Sequence, residues 1–194
     1  MPRPITPDDV DHARESALVG DPRTAAERFR AWATDARAYT LADGVSRAAL
    51  LADAGEYFGY ADDHDEAVRM FEAAIADGGP VAISPRVMLV RELFQAGRTE
   101  DAFALADELR RERSAGVTDY ILLGSGFELI GENKQAQRWY AMGLRAIDSG
   151  SILASEFDYE SLLIGRQRVR SNAGMPEDAL DAAARAIMAR HAQE

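Results

Sequence analysis

The sequence has no cysteine and only one lysine, Lys134. Without thiols, a disulfide framework and a thiolate metal site are both excluded. Long apolar runs are also missing, since no stretch approaches the roughly 18 residues that a membrane span needs. The first ten residues, MPRPITPDDV, contain no apolar run of the kind found in signal peptides. We therefore expect a cytoplasmic protein.

The charge balance is strongly acidic. The 33 Asp and Glu residues outnumber the 22 Lys and Arg residues, giving a formal net charge of −11. Such a surface repels phosphates, so non-specific binding to nucleic acid or to anionic membranes is not expected. Almost all of the positive charge is arginine, for which two explanations stay open. A GC-rich genome favours arginine codons, and selection for bidentate carboxylate binding favours the guanidinium group.

Histidine is scarce as well, and the three copies are His12, His64 and His191. No two of them have the i, i+4 spacing of a helical zinc site. His64 lies in an acidic stretch, residues 62–66, that could suggest a metal site. That stretch is more simply a helix start, because Asp63 and Glu66 have the spacing of a capping box. We expect no bound metal and no cofactor.

The sequence also contains no recognisable catalytic constellation. Gly124-Ser125-Gly126 lacks the further glycines and the lysine of phosphate-binding loops, and it lies in a helical segment rather than a strand–turn–helix. Gly124 is better explained by close helix packing. Glu128 and Glu132 lie one turn apart but have no histidine near them. The sequence therefore predicts a protein that is not an enzyme.

A repeated helix–turn–helix pattern dominates the chain instead. Small residues open the second helix of each pair at Ala25, Ala67, Ala102, Ala136 and Ala179, with intervals of 42, 35, 34 and 43 residues. The extra residues of the outer intervals fall at 34–46 and 147–156. The pattern predicts one domain over residues 1–194, with helix pairs at about 6–37, 46–78, 83–113, 117–147 and 157–191. Thr6-Pro7 and Asp21-Pro22 are expected to start the first two helices.

Three of these units share one arrangement of small, aromatic and glycine residues. The fullest unit has Tyr120, Leu123, Gly124, Phe127, Gly131, Ala136, Tyr140 and Gly143, and the next has Leu51, Ala54, Gly55, Phe58, Ala67, Phe71 and Ala74. The third has Leu89, Gly97 and Ala102, with Ala106 in place of the aromatic residue. With a period near 34, these units resemble the tetratricopeptide repeat. The resemblance implies an all-α, right-handed superhelical solenoid of about five antiparallel helix pairs, with the first helix of each pair lining a concave face.

The fifth pair departs from the pattern. Arg166, Gln167 and Arg170 fall where apolar packing residues are expected. A rotated register would pack Tyr159, Leu162, Val169 and Ala173 instead, so two orientations of this helix stay open. Its partner is expected to start at Pro176 and to pack through Ala179, Ala183 and Ala186.

Helical spacing leaves one stripe of each first helix free of packing. The candidate groove residues on these stripes are Glu56, Tyr60, Arg91, Phe94, Gln95, Ser125, Glu128, Leu129, Arg168 and Asn172. Aromatic anchors with a few directed polar groups are typical of a peptide-binding surface. The other interpretation is that Tyr60 and Phe94 pack on neighbouring helices and the arginines are merely solvated. The lysine–asparagine carboxylate clamp of chaperone-binding members is absent, so a chaperone C-terminus is not the expected partner.

The last helix suggests a second interpretation. No polar capping helix follows it, and Leu180, Ile187 and Met188 would then lack a covering neighbour. Such a patch indicates a homodimer or a partner, unless an alanine-rich face is simply exposed. The sequence thus predicts a non-enzymatic interaction scaffold binding an unidentified peptide or protein, or a self-associating subunit.

Overall fold

A computed structural model describes residues 1–112 and 116–193. Over these residues the regular secondary structure is helical apart from two short strands, β1 (Arg3–Ile5) and β2 (Tyr39–Leu41). The helices are α1 (Pro7–Ala17), α2 (Pro22–Thr34), α3 (Arg47–Tyr60), α4 (His64–Asp77), α5 (Pro85–Gln95), α6 (Thr99–Glu112), α7 (Val117–Leu129), α8 (Asn133–Asp148), α9 (Glu156–Asn172) and α10 (Ala179–His191). None of the helices described is both long enough and apolar enough to cross a bilayer. The predicted end of the third pair, at residue 113, lies outside the described residues.

The first two helices start where their capping residues predict. Thr6 precedes α1, and its hydroxyl accepts a 3.2 Å hydrogen bond from the Asp9 amide. Asp21 precedes α2, and its carboxylate accepts a 2.7 Å hydrogen bond from the Thr24 amide. In both helices a proline follows the cap, where a missing N–H has no cost. The local sequence is therefore sufficient to fix these helix starts.

The two strands were not predicted. They pair in parallel, with Arg3 opposite Tyr39 and Ile5 opposite Leu41. The Ile5 side chain is completely buried. The second strand lies within residues 34–46, the extra length found between the first two helix pairs. This insertion therefore holds the segment that precedes α1 beside the segment that follows α2.

The chain folds into two compact units, Met1–Leu105 and Ala106–Glu194, and the boundary falls inside α6. In the first unit, each helix from α1 to α5 packs on the next, and α3 also contacts α5. In the second unit, α7 packs on α8, α8 on α9, and α9 on α10, while α7 also contacts α9. Each unit thus combines consecutive packing with a contact between neighbouring first helices.

Small residues allow the helices to approach closely, as the sequence predicts. Ala67, Ala102 and Ala136 are completely buried. An added Cβ at Gly55 would lie 3.0 Å from the Phe71 ring. The contact is closer in the second unit, where a Cβ at Gly124 would lie 2.5 Å from the Tyr140 ring and one at Gly165 would lie 2.6 Å from it. The Tyr140 ring is therefore held between glycines of α7 and α9.

The last helix pair packs differently from the expectation. α10 begins at Ala179 rather than at Pro176, because the Asp178 carboxylate caps it by accepting from the amides of Leu180 and Asp181. Ala179, Ala183 and Ala186 are all exposed. Ala184 is buried instead. The prediction for the packing face of α10 was therefore wrong.

The packing of α9 agrees fully with neither of the two predicted registers. Leu162 and Val169 are buried, as the rotated register requires, but Ala173 is exposed. Arg166 is also buried, at 7% exposure. Its guanidinium donates to Asp178 and, over 2.8 Å, to the buried Asp181. An ion network thus occupies the position at which other pairs place apolar side chains.

Candidate functional site

Four of the predicted groove residues lie on neighbouring first helices of the first unit. Glu56 and Tyr60 are on α3, and Arg91 and Gln95 are on α5. They lie in or beside an open cavity of about 240 Å³, which we call the α3–α5 cavity; its lining residues are Gly59, Tyr60, Asp62, His64, Arg91, Glu92 and Gln95. The predicted stripes of these two helices therefore meet at one place.

The wall of this cavity contains a buried carboxylate, that of Glu92. The side chain of Glu92 is only 2% exposed. Its Oε1 accepts a 2.8 Å hydrogen bond from Nε of Arg91, and its Oε2 lies 3.0 Å from Nδ1 of His64. Gly59 makes room for it, since an added Cβ would lie 2.9 Å from the carboxylate oxygens. Glu92 thus fixes the guanidinium of Arg91 at the cavity wall, because a buried charge is retained only when it is paired.

Tyr60 forms the exposed edge of the same cavity. Its side chain is 56% exposed, and its hydroxyl donates a 2.8 Å hydrogen bond to Oε1 of Glu56. The ring also contacts Tyr57 edge-on, at 5.8 Å between centroids. Partial burial and the neighbouring Glu56 carboxylate raise the pKa of Tyr60 to about 12. At neutral pH Tyr60 is therefore an exposed, neutral aromatic group with a fixed orientation.

Phe94 does not share this position. Its ring meets Phe103 of α6 edge-on, at 5.4 Å between centroids, and its side chain is half-buried. The interpretation that Phe94 packs against a neighbouring helix therefore describes its surroundings better than the groove assignment.

The acidic stretch at residues 62–66 forms a turn and a helix start. Asp62 adopts the left-handed region at φ 56°, and Asp63 caps α4 by accepting from the Glu66 amide. His64 turns toward Glu92. Within residues 1–112 and 116–193, no group of three or more histidine, aspartate or glutamate side chains is arranged to hold a metal ion.

A second concave surface lies between α1 and α3, and we call it the α1–α3 groove. It consists of two adjoining cavities of about 300 Å³ and 80 Å³. Its walls are Pro7, Val10, Asp11 and Arg14 on α1; Gly44, Val45, Ser46, Ala49, Leu50, Ala52, Asp53 and Glu56 before and on α3; and Phe71, Pro80, Val81, Ala82, Ile83 and Met88 further along the chain. Among the groove residues predicted from sequence spacing, Glu56 lines this surface.

One ion pair crosses the α1–α3 groove. Nε and a terminal nitrogen of Arg14 donate to Oδ2 of Asp53 over 3.1 Å and 2.8 Å. Burial raises the pKa of Asp53, and the Arg14 guanidinium opposes that rise, whereas the nearby Glu56 carboxylate adds to it. The Arg14 guanidinium thus offsets only part of the destabilisation that burial imposes on the ionised Asp53 carboxylate.

In the second unit, two predicted groove residues form one cluster. Nε and a terminal nitrogen of Arg168 on α9 donate to the two carboxylate oxygens of Glu128 on α7, over 2.5 Å and 2.7 Å. The Tyr140 hydroxyl donates to the same carboxylate over 3.2 Å. The Arg168 hydrogen bonds lower the pKa of Glu128, and burial opposes them. This pair links α7 and α9 on the stripe that the sequence identifies.

The other three predicted residues of the second unit are exposed. Leu129 is 68% exposed, and Asn172 is exposed at the end of α9. The Ser125 hydroxyl donates to the Leu122 carbonyl of its own helix. Of the predicted self-association residues, Leu180 is 37% exposed, whereas Ile187 and Met188 are half-buried.

No protein-family model matches this sequence, and no curated protein is similar to it by sequence comparison. The resemblance to the tetratricopeptide repeat therefore rests on the residues of the repeats and stays a prediction.

Glu92 is the functional-site residue that sequence analysis missed most clearly. It lies within MLVREL, where every other residue except Arg91 is apolar. A charged residue on the buried face of such a helix is a recognisable signal, because it must find a partner. Asp53 gave no comparable signal, since its burial depends on α1 and on residues 81–83.

Proposed function

We propose that the protein is a non-enzymatic interaction module of tetratricopeptide-like solenoid architecture, which binds a peptide or protein segment on its first helices. The observation that carries the proposal is the α3–α5 cavity. There, the exposed ring of Tyr60 and the guanidinium of Arg91, which Glu92 holds in place, border one opening. Binding surfaces commonly combine such groups, and residues enriched at binding hot spots include tyrosine and arginine.

The packing of the first helices supports the same proposal. α3 contacts α5 and α7 contacts α9, so neighbouring first helices present a shared face within each unit. Solenoids of stacked helix pairs create extended binding surfaces in this way. We place the protein in the cytoplasm, as the sequence predicts.

The test is partner capture with a Tyr60→Ala, Arg91→Gln double variant. Phe94 is left unchanged because its ring packs on Phe103, so that its removal would disturb the fold. The matched control is Tyr159→Ala with Arg69→Gln, which removes the same residue types outside the cavity. We expect proteins cross-linked to the wild type in native cell extract to be retained by the control and lost from the double variant. Equal capture by all three proteins, with helicity unchanged by circular dichroism, would reject the α3–α5 cavity as the binding surface.

Self-association through α10 is the second candidate function. It is favoured by the exposed Leu180 and by the row of exposed alanines on the same helix. Sedimentation of the wild type and of a Leu180→Glu variant distinguishes a monomer from a dimer. A wild-type dimer that dissociates in the variant would support this candidate, and a wild-type monomer at high concentration would reject it.

A further inference from the structure

The α1–α3 groove combines an apolar floor with an acidic rim. Val10, Val45 and Val81 line the larger of its two cavities, together with the buried Leu50. Its volume of about 300 Å³ lies at the lower end of the range typical of ligand pockets, about 300–1,000 Å³. The segment at 80–83 adds aliphatic side chains that remain accessible, with Ile83 39% exposed. A ligand could therefore bury apolar surface here without opening the core.

The charged groups that border the groove do not balance. Three carboxylates line it, those of Asp11, Asp53 and Glu56, against one guanidinium, that of Arg14. Asp11 pairs only distantly with Arg14, at 3.6 Å, and its side chain is 72% exposed. Among the described residues that line the groove, acidic side chains therefore outnumber basic ones.

Two carboxylate oxygens in the groove have spare acceptor capacity. Both Arg14 hydrogen bonds to Asp53 end on Oδ2. The Tyr60 hydroxyl donates to Oε1 of Glu56. Within the described part of the chain, no group donates a hydrogen bond to Oδ1 of Asp53 or to Oε2 of Glu56. Asp53 and Glu56 are three residues apart on α3, a spacing at which like charges destabilise a helix.

The groove has an apolar floor and an excess of carboxylates at its rim. A ligand complementary to it would carry a cation attached to apolar groups. A free metal ion or a small amine would leave the aliphatic floor uncovered, and an apolar peptide would leave the carboxylates unpaired. A lysine or arginine flanked by aliphatic residues satisfies both parts. Charge complementarity of this kind also speeds association and excludes acidic competitors.

We propose that the α1–α3 groove is a docking site for a basic, aliphatic peptide segment of a partner protein, whose lysine or arginine pairs with Asp53 and Glu56. This inference rests on the proposed interaction function and adds to it the chemistry of the partner. The burial that raises the pKa of Asp53 is consistent with a carboxylate that a partner's cation would stabilise.

The test is selection from a displayed library of short random peptides against three forms of the full chain. They are the wild type, the isosteric variant Asp53→Asn/Glu56→Gln, and the control Asp148→Asn/Glu132→Gln, which removes two exposed carboxylates elsewhere. We expect the wild type and the control to enrich peptides with lysine or arginine beside aliphatic residues. The strongest synthetic peptide should lose about tenfold or more in affinity for the groove variant by fluorescence anisotropy. Its binding should also weaken at high salt.

The outcomes separate this inference from the function on which it rests. Enriched peptides that lack basic residues, or that bind the groove variant as well as the wild type, would overturn the inference and leave a peptide-binding function in place. Enrichment of no peptide by the wild type would overturn both. Circular dichroism and thermal unfolding of the groove variant check that any loss of affinity does not come from unfolding.

Discussion

The helix pairs α7–α8 and α9–α10 lie in the same unit, but apolar packing stabilises the first and ion pairs stabilise the second. In the first, the ring of Tyr140 on α8 packs closely on Gly124 of α7. In the second, Arg166 and Arg170 bind Asp178 and Asp181 between the helices. An aromatic ring on glycine stabilises by burying apolar surface and by close packing. An ion network must offset the desolvation of every charge it contains. The two pairs should therefore respond differently to substitution and to pH.

Loss of Arg166 should have the largest effect on stability. Arg166→Leu leaves the buried Asp181 with Arg170 as its remaining guanidinium partner. Removing one partner of a buried ion pair costs about 3–5 kcal/mol, and we expect a value near 3 kcal/mol because Arg170 remains. Urea unfolding measures the change. The control is Arg185→Leu, which removes the exposed Arg185–Glu177 pair of α10 and should cost less than about 1 kcal/mol. Equal losses in the two variants would show that the network contributes no more than a surface pair.

Glycine substitutions should have the next largest effect. In Gly124→Ala the new Cβ would lie 2.5 Å from the buried Tyr140 ring, which Gly165 confines on another side. Overpacking of this kind costs about 1–3 kcal/mol. Gly55→Ala should cost less, because its Cβ would lie 3.0 Å from Phe71.

Gly126 provides the control on the same helix as Gly124. An added Cβ at Gly126 meets nothing within 4 Å, so Gly126→Ala should stabilise the protein by up to about 1 kcal/mol through helix propensity. Thermal unfolding of the three variants gives the order. Destabilisation by Gly126→Ala similar to that by Gly124→Ala would contradict the steric explanation.

The smallest expected effect is a pH dependence that belongs to the α9–α10 network. The Arg166 hydrogen bonds hold the pKa of Asp178 well below its usual value. A carboxyl group with a lowered folded-state pKa stabilises the protein above the unfolded-state value and loses that contribution as the pH falls through the folded-state pKa. Asp178→Asn keeps a capping side chain at the start of α10 but removes the charge. We expect the variant to be less stable than the wild type near neutral pH, with the difference shrinking in acid.

Urea unfolding at several pH values measures this difference. Asp148→Asn, which changes an exposed carboxylate, should show no comparable trend. A difference between Asp178→Asn and the wild type that stays constant from neutral pH into acid would show that the effect comes from the cap and not from the charge.

The same comparison explains how much of the fold follows from the sequence. Glycine and aromatic residues at helical spacing identify α7–α8 and α3–α4, because close helix packing requires those residue types. Arginine and aspartate are mostly surface residues, so the sequence left the register of α9 open at Arg166 and gave no sign that Asp181 of α10 is buried beside it. The two strands were not predicted because a strand of three residues is too short to show an alternation of apolar and polar side chains.

The candidate site shows a similar limit. Helical spacing brought Tyr60, Arg91 and Gln95 to one surface, since these positions depend on the geometry of two neighbouring helices. It did not identify Glu92 as the group that orients Arg91, or Asp53 as half-buried. Both depend on which side chains approach from other elements, and no single helix carries that information.

The two-stranded ribbon should control whether the α1–α3 groove opens locally. It joins residues 36 positions apart in sequence, and with Ile5 it helps to hold α1, whose own buried contacts are limited to Val10 and Ala13. Few buried apolar contacts favour local unfolding as a unit. Because α1 is one wall of the groove, separation of the ribbon would dismantle the groove while the other helix pairs stay folded. By linkage, any ligand bound there would protect the ribbon amides from hydrogen exchange.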